Sequence, residues 1–71
     1  MSKEAAEFVI YIINIISNMQ GYYPSDVYRA MDKSGCISTY LVPFYDVLHT
    51  MSSERVAKDV LQFIENRGVT I

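Results

Sequence analysis

What this 71-residue chain has little of bounds it first: one cysteine, one histidine, two prolines, three glycines and no tryptophan. With Cys36 alone, no disulfide can form within the chain. Small secreted domains lean on several such bridges, so a reducing cytoplasm is the expected setting. One histidine, His49, beside one cysteine leaves no CxxC or HxxxH spacing, and neither a metal nor another cofactor is expected. Gly21, Gly35 and Gly68 stand apart, each at the end of a helical run, so there is no glycine-rich phosphate loop. An excess of charge is missing as well. Six Lys+Arg face eight Asp+Glu, a formal net charge of -2, without the basic footprint of a nucleic-acid binder. The oiliest stretch, Phe8–Ile16 (FVIYIINII), contains Asn14 and falls far short of the ~20 apolar residues a membrane span requires. Glu4 and Glu7 precede it where a signal peptide carries positive charge, so it reads as a buried helix of a soluble protein.

What is present is globular: 51% hydrophobic and 20% charged residues, enough for one small domain over residues 1–71. A folded monomer of this size buries only about 60% of its unfolded surface. Nearly every apolar side chain is then needed to close the core, and an enzyme with a deep pocket is not expected.

Placed at 100° intervals, Ala5, Ala6, Phe8, Val9, Ile12, Ile13, Ile16 and Met19 fill a continuous half-circle, with Ile15 at one edge. Ser2 is placed to cap this first helix and Gly21 to end it. Ser25 is the expected cap of a second helix, with Val27, Ala30 and Met31 inward and Gly35 as its stop. Ile37, Leu41, Phe44, Leu48 and Met51 recur at helical spacing, but Pro43 interrupts them and biases Val42 away from helix. Two readings follow: a turn over Thr39–Val42 before a helix with Pro43 at its first position, which is preferred, or one helix kinked there. Ser52 or Ser53 caps a last helix whose inward arc is Val56, Ala57, Val60, Leu61, Phe63 and Ile64. Glu54–Lys58 and Arg55–Asp59 are spaced to pair across its outer face. Val69-Thr70-Ile71 is either a tail packed on the core or a short strand. The expected fold is all-α, a compact bundle of four to five helices with the third segment interrupted near Pro43.

Tyr45, Asp46 and His49 form the densest constellation with chemical potential. On a helix, Asp46 could orient His49 as a general base with Tyr45 as proton donor. The plainer reading makes His49 a helix C-terminal residue favoured by the dipole and Tyr45 a packing residue. No nucleophile accompanies them, so the residues keep an unassigned role and no catalytic residue is named. A buried structural thiol is the expected state of Cys36.

Six tyrosines are many for this length. Tyr22, Tyr23, Tyr28 and Tyr45, together with Ile10 and Tyr11 on the otherwise polar side of the first helix, are the candidate interaction surface. The expected partner is another protein or a second copy in a homodimer. A helix-turn-helix reading across Thr50–Ser53 is the alternative, as a DNA-binding regulator. The face of the last helix sets Arg55, Lys58 and Arg67 against Glu54, Asp59 and Glu65, so nucleic acid is not favoured, and neither is a membrane.

Val27-Tyr28, Met31 and Lys33-Ser34-Gly35 lead into Ile37, Tyr40-Leu41-Val42 and the run Pro43-Phe44-Tyr45-Asp46-Val47-Leu48-His49-Thr50. With the Arg67-Gly68-Val69 ending, this pattern resembles a family of short uncharacterised bacterial proteins, a domain of unknown function with a Pro-x-Tyr-Asp/Glu-Val-Leu-His-Thr motif. Met51 departs from it, since glutamine is frequent there in such sequences. The resemblance implies a cytosolic helical protein without an established activity. Genes of the family that neighbour one for an ADP-ribosyltransferase-like protein further imply an accessory or antitoxin-like partner role.

Overall fold

Ser2 opens the first helix, its Oγ accepting the Ala5 N–H at 3.1 Å, with Glu4 in the first turn where the helix dipole favours an anion. A computed structural model describes residues 1–71, and in it this helix, α1, runs Lys3–Gln20. It stops where Gly21 adopts φ 73°, a left-handed turn that a side chain would strain. Eighteen residues at ~1.5 Å each give about 27 Å, which matches the 27 Å longest dimension of the molecule. α1 therefore spans the domain, and the remaining elements pack along it.

α2 covers Pro24–Lys33, two residues earlier than a Ser25 cap allows. Tyr23 occupies the cap position and Pro24 the first helical one, where its fixed φ suits the helix and its missing N–H would have had no partner. Val27, Ala30 and Met31 are buried as the spacing predicts. Gly35, at φ 80°, then turns the chain.

The segment around Pro43 differs from the preferred reading. A π-helical turn covers Ile37–Leu41, and the Val42 N–H donates to the Ile37 carbonyl at 3.0 Å, one residue wider than an α-helical bond. Val42 itself is helical (φ -73°, ψ -50°), against its expected bias. Pro43 lies in the turn that follows, and a four-residue helix, α3 (Tyr45–Leu48), begins two positions later. This is nearer to one interrupted helix than to a fresh start at proline. In a regular helix the Pro43 ring would meet the carbonyl four residues back, and a widened turn relieves that clash. The extra residue also shifts the register. Ile37, Leu41 and Leu48 stay buried, whereas Phe44, expected on the same seam, is 53% exposed.

α4 spans Ser53–Asn66, with Ser52 at the cap position but without a side-chain cap bond. Glu54–Lys58 and Arg55–Asp59 do not close as ion pairs; the two pairs formed are Lys3–Glu7 at 3.9 Å and Asp26–Arg29 at 3.4 Å, both solvent-exposed. What fixes α4 is the burial of Val56, Ala57, Val60 and Ile64. Val69 packs on the core and donates its N–H to the Ile64 carbonyl at 3.1 Å, so the C-terminal residues form a packed tail and not a strand. The architecture is the all-α bundle anticipated, with five helical segments.

Ile12 and Ile16 of α1, Val27 and Met31 of α2, Leu41 of the π turn, and Val56 and Val60 of α4 have no measurable exposure, and Cys36 joins them. Met19, expected inward, is largely outside at the end of α1. Truncating Ile16 to alanine leaves a void at the crossing of α1 with its neighbours. Such changes cost about 2–5 kcal/mol, a large share of the roughly 4–10 kcal/mol typical of this length. Ile16→Ala is therefore expected to lower the urea midpoint sharply, as followed by circular dichroism.

Burial pushes the Cys36 thiol up to about 12 from 9.0, so it stays protonated and unreactive at neutral pH. Tyr40 shifts in the same direction through burial first, then the nearby Asp59 charge. In the unfolded chain the thiol ionises near 9.0, while the fold holds its proton up to about 12. The folded state thus binds more protons across that interval, and stability falls as pH rises through it. Native protein at pH 8 is expected to resist iodoacetamide, with stoichiometric alkylation only after denaturation, as read by mass spectrometry.

Candidate functional site

The continuous apolar arc of α1 is wider than its neighbours cover. Along one edge Ala6, Val9, Ile10 and Ile13 remain beside a groove of about 410 Å³. Tyr28 and Asp32 of α2 form its second wall, and Ile37 and Ser38 of the π turn close one end. Met1 lies across the other part of the rim. Val9, Ile13 and Ile37 are core residues whose outer faces floor the groove, while Ile10 and Tyr28 rise from its sides, 58% and 51% exposed. Seven of the nine lining residues are hydrophobic, and Asp32 is the one acidic side chain among them.

Of the six residues expected to form one interaction surface, the structure brings Ile10 and Tyr28 together here. Tyr11, one residue on from Ile10, is carried about 100° around the helix to the opposite edge of the exposed face. There it shares a shallow concavity with Glu4, Glu7, Phe8, Tyr45 and His49. Tyr22 lies elsewhere, beside Leu61 and the C-terminal tail, and Tyr23 stands alone in the α1–α2 connection at 77% exposure. The tyrosines thus distribute over several faces. Ala6, Val9, Ile13 and Ile37, which sequence reasoning assigned to the interior alone, supply most of the groove floor. The signal for them was the width of the α1 arc, which reaches from the core to Ile10 by steps of three and four residues.

The Tyr45, Asp46 and His49 constellation takes a definite geometry. His49 Nδ1 lies 2.8 Å from the Tyr45 carbonyl oxygen, which only accepts, so Nδ1 carries the proton and donates it. The imidazole stacks on the Tyr45 ring at 4.6 Å between centroids and 15° between planes. Phe8 meets the Tyr45 ring edge-on at 5.6 Å. Tyr45 is therefore half-buried and serves as a packing link between α1 and α3. Asp46 makes no bond to His49; it is exposed in the first turn of α3. The orienting carboxylate that a general base at His49 requires is not supplied by Asp46.

On α4, exposed Arg55 and Lys58 alternate with exposed Glu54 and Asp59. α3, the helix before it, has only four residues. The exposed apolar side chains near this connection are Phe44 and Val47. No helix is long and apolar enough to cross a membrane. No group of three or more His, Cys, Asp or Glu side chains is placed to hold a metal ion.

No curated protein and no solved structure matches the chain. A family model does, described as Protein of unknown function (DUF3791), over residues 7–67. The match runs from within α1 to the end of α4 and takes in most of the groove, the widened turn before Pro43, and the Tyr45–His49 stack. On that span the chain belongs to the DUF3791 family of proteins of unknown function.

Proposed function

We propose that this chain is a non-enzymatic, cytoplasmic interaction module that docks on a second copy of itself through the groove between α1, α2 and the π turn. The observation that carries the reading is the adjacency of a knob and a hole on one face. Ile10 protrudes beside the hollow floored by Val9, Ile13 and Ile37. A two-fold interface uses the same patch on both partners, so each copy must offer both shapes. This face carries both, and in the proposed dimer each Ile10 would seat over the hollow of the other copy.

The size of the patch sets the strength of the contact. Nine residues line the groove, against roughly 20–30 a side in a standard interface. Association is accordingly reversible and concentration-dependent. Burying Ile10 and the Tyr28 ring supplies the favourable apolar term, while Asp32 stays at the rim in water. An accessory or antitoxin-like role toward another protein fits the same device, with the dimer either presenting a second surface or yielding its groove to the partner.

Light scattering on a size-exclusion column tests this. A weight-average mass clearly above 8.1 kDa, rising toward twice that value with loading concentration, is expected around 100 µM chain, a regime where contacts of about -5.5 kcal/mol are half-formed. Because Ile10 is exposed, Ile10→Lys is expected to leave the thermal midpoint within a few degrees of the parent while shifting the species to monomer. Wild type that is monomeric up to millimolar concentration contradicts the proposal, as does a dimer indifferent to Ile10→Lys.

A further inference from the structure

The concavity on the other edge of α1 has a different chemistry, and no part of the reading above uses it. Its volume is about 360 Å³, and Glu4, Glu7, Phe8, Tyr11, Tyr45 and His49 line it. We infer that it is a binding site for a guanidinium group, presented as an arginine side chain of a partner protein.

Three observations converge on that ligand. Two carboxylates and three aromatic rings share one concavity, and no lysine or arginine of the chain lines it. The electron-rich faces of Tyr and Phe and the two carboxylates therefore act on the same volume, and the one cation near them is Lys3, 3.9 Å from Glu7 and outside the lining. The rings are also held in place. Tyr45 is fixed between Phe8, edge-on at 5.6 Å, and His49, stacked at 4.6 Å. The Tyr11 hydroxyl donates to Ser53 Oγ at 3.4 Å, tying its ring to the start of α4. His49 in turn is fixed by its Nδ1–H bond to the Tyr45 carbonyl, so that in the neutral form of the ring Nε2 is the acceptor. The concavity thus offers carboxylates, an imidazole nitrogen and ring faces, and these are all acceptors.

A guanidinium is the cation that uses this combination best. It is planar, it stacks on an aromatic face, and its fork of N–H donors engages a carboxylate through two bonds while another donor reaches a neutral acceptor. An ammonium is a compact, strongly hydrated charge and gains less from the rings. Glu4 and Glu7 lie on adjacent turns of α1, so their carboxylates approach the concavity from one side and the Tyr45–His49 stack from the other. Glu7 keeps a long contact of 3.9 Å to Lys3, solvent-exposed on both sides and readily given up.

The test is titration of the full chain followed by ¹H–¹⁵N correlation spectra, with methylguanidinium chloride, neutral N-methylurea, and the peptide acetyl-Gly-Arg-Gly-amide as probes. Saturable shifts are expected at Glu4–Tyr11 and Tyr45–Thr50 with methylguanidinium, half-complete at about 10 mM given the few atoms it offers. The peptide is expected to bind severalfold more tightly, N-methylurea to give no saturable shift, and Glu7→Gln with Tyr11→Leu to abolish the response. The Ile10→Lys variant is expected to respond as wild type does, which separates this site from the groove. Equal shifts with N-methylurea, or linear shifts with every probe, overturn the site. Equal affinity for methylguanidinium and the peptide overturns its assignment to a partner's arginine.

Discussion

Ile12 and Ile16 are sealed from solvent because α2, the π turn and α4 each press on a different part of α1. No single partner helix could cover an apolar arc that extends from Phe8 round to Ile13. The later segments are correspondingly short and amphipathic, and each gives up one stripe: Val27, Ala30 and Met31 from α2, Val56, Ala57, Val60 and Ile64 from α4. The stripes that these elements supply leave one margin of the arc uncovered. Its uncovered margin is the floor of the groove.

That constraint explains why α1 has two dissimilar shoulders. Toward α2 and the π turn, its residues are Ala6, Val9, Ile10 and Ile13, so the margin is apolar. Toward α3 the helix presents Glu4, Glu7, Phe8 and Tyr11, and the margin there is acidic and aromatic. One residue step, about 100° of helix, separates Ile10 from Tyr11 on the other shoulder. Side chains adjacent in sequence therefore serve opposite faces, and this is how so short a chain carries two chemically distinct surfaces.

Much of the fold was legible in the sequence because its signals are local. Ser2, Gly21 and the periodicity of α1 fix one helix, and the charged outer face and apolar stripe of α4 fix another. The break before Pro43 was legible as a break but not in its form. Whether a chain relieves a proline by restarting or by widening the preceding turn depends on what the flanking side chains bury, here Ile37, Leu41 and Leu48, and that is settled by tertiary packing. The same shift put Phe44 outside, which spacing alone could not foresee. At the surface, Ile10 and Tyr28 were readable as exposed apolar groups, yet their meeting depends on how α1 and α2 cross. The His49 ring was readable as unusual, but its bond to the Tyr45 carbonyl in place of Asp46 is a matter of three-dimensional geometry.

The proposed meeting of two copies is on the face that carries Ile10 and Tyr28. An isotope-filtered NOE experiment on a mixture of labelled and unlabelled chain reads that contact directly. Intermolecular cross-peaks from the Ile10 methyls to Ala6, Ile13 or the Tyr28 ring are the predicted result. Cross-peaks confined to Tyr22, Tyr23 or Phe44, or none at millimolar concentration, would contradict it.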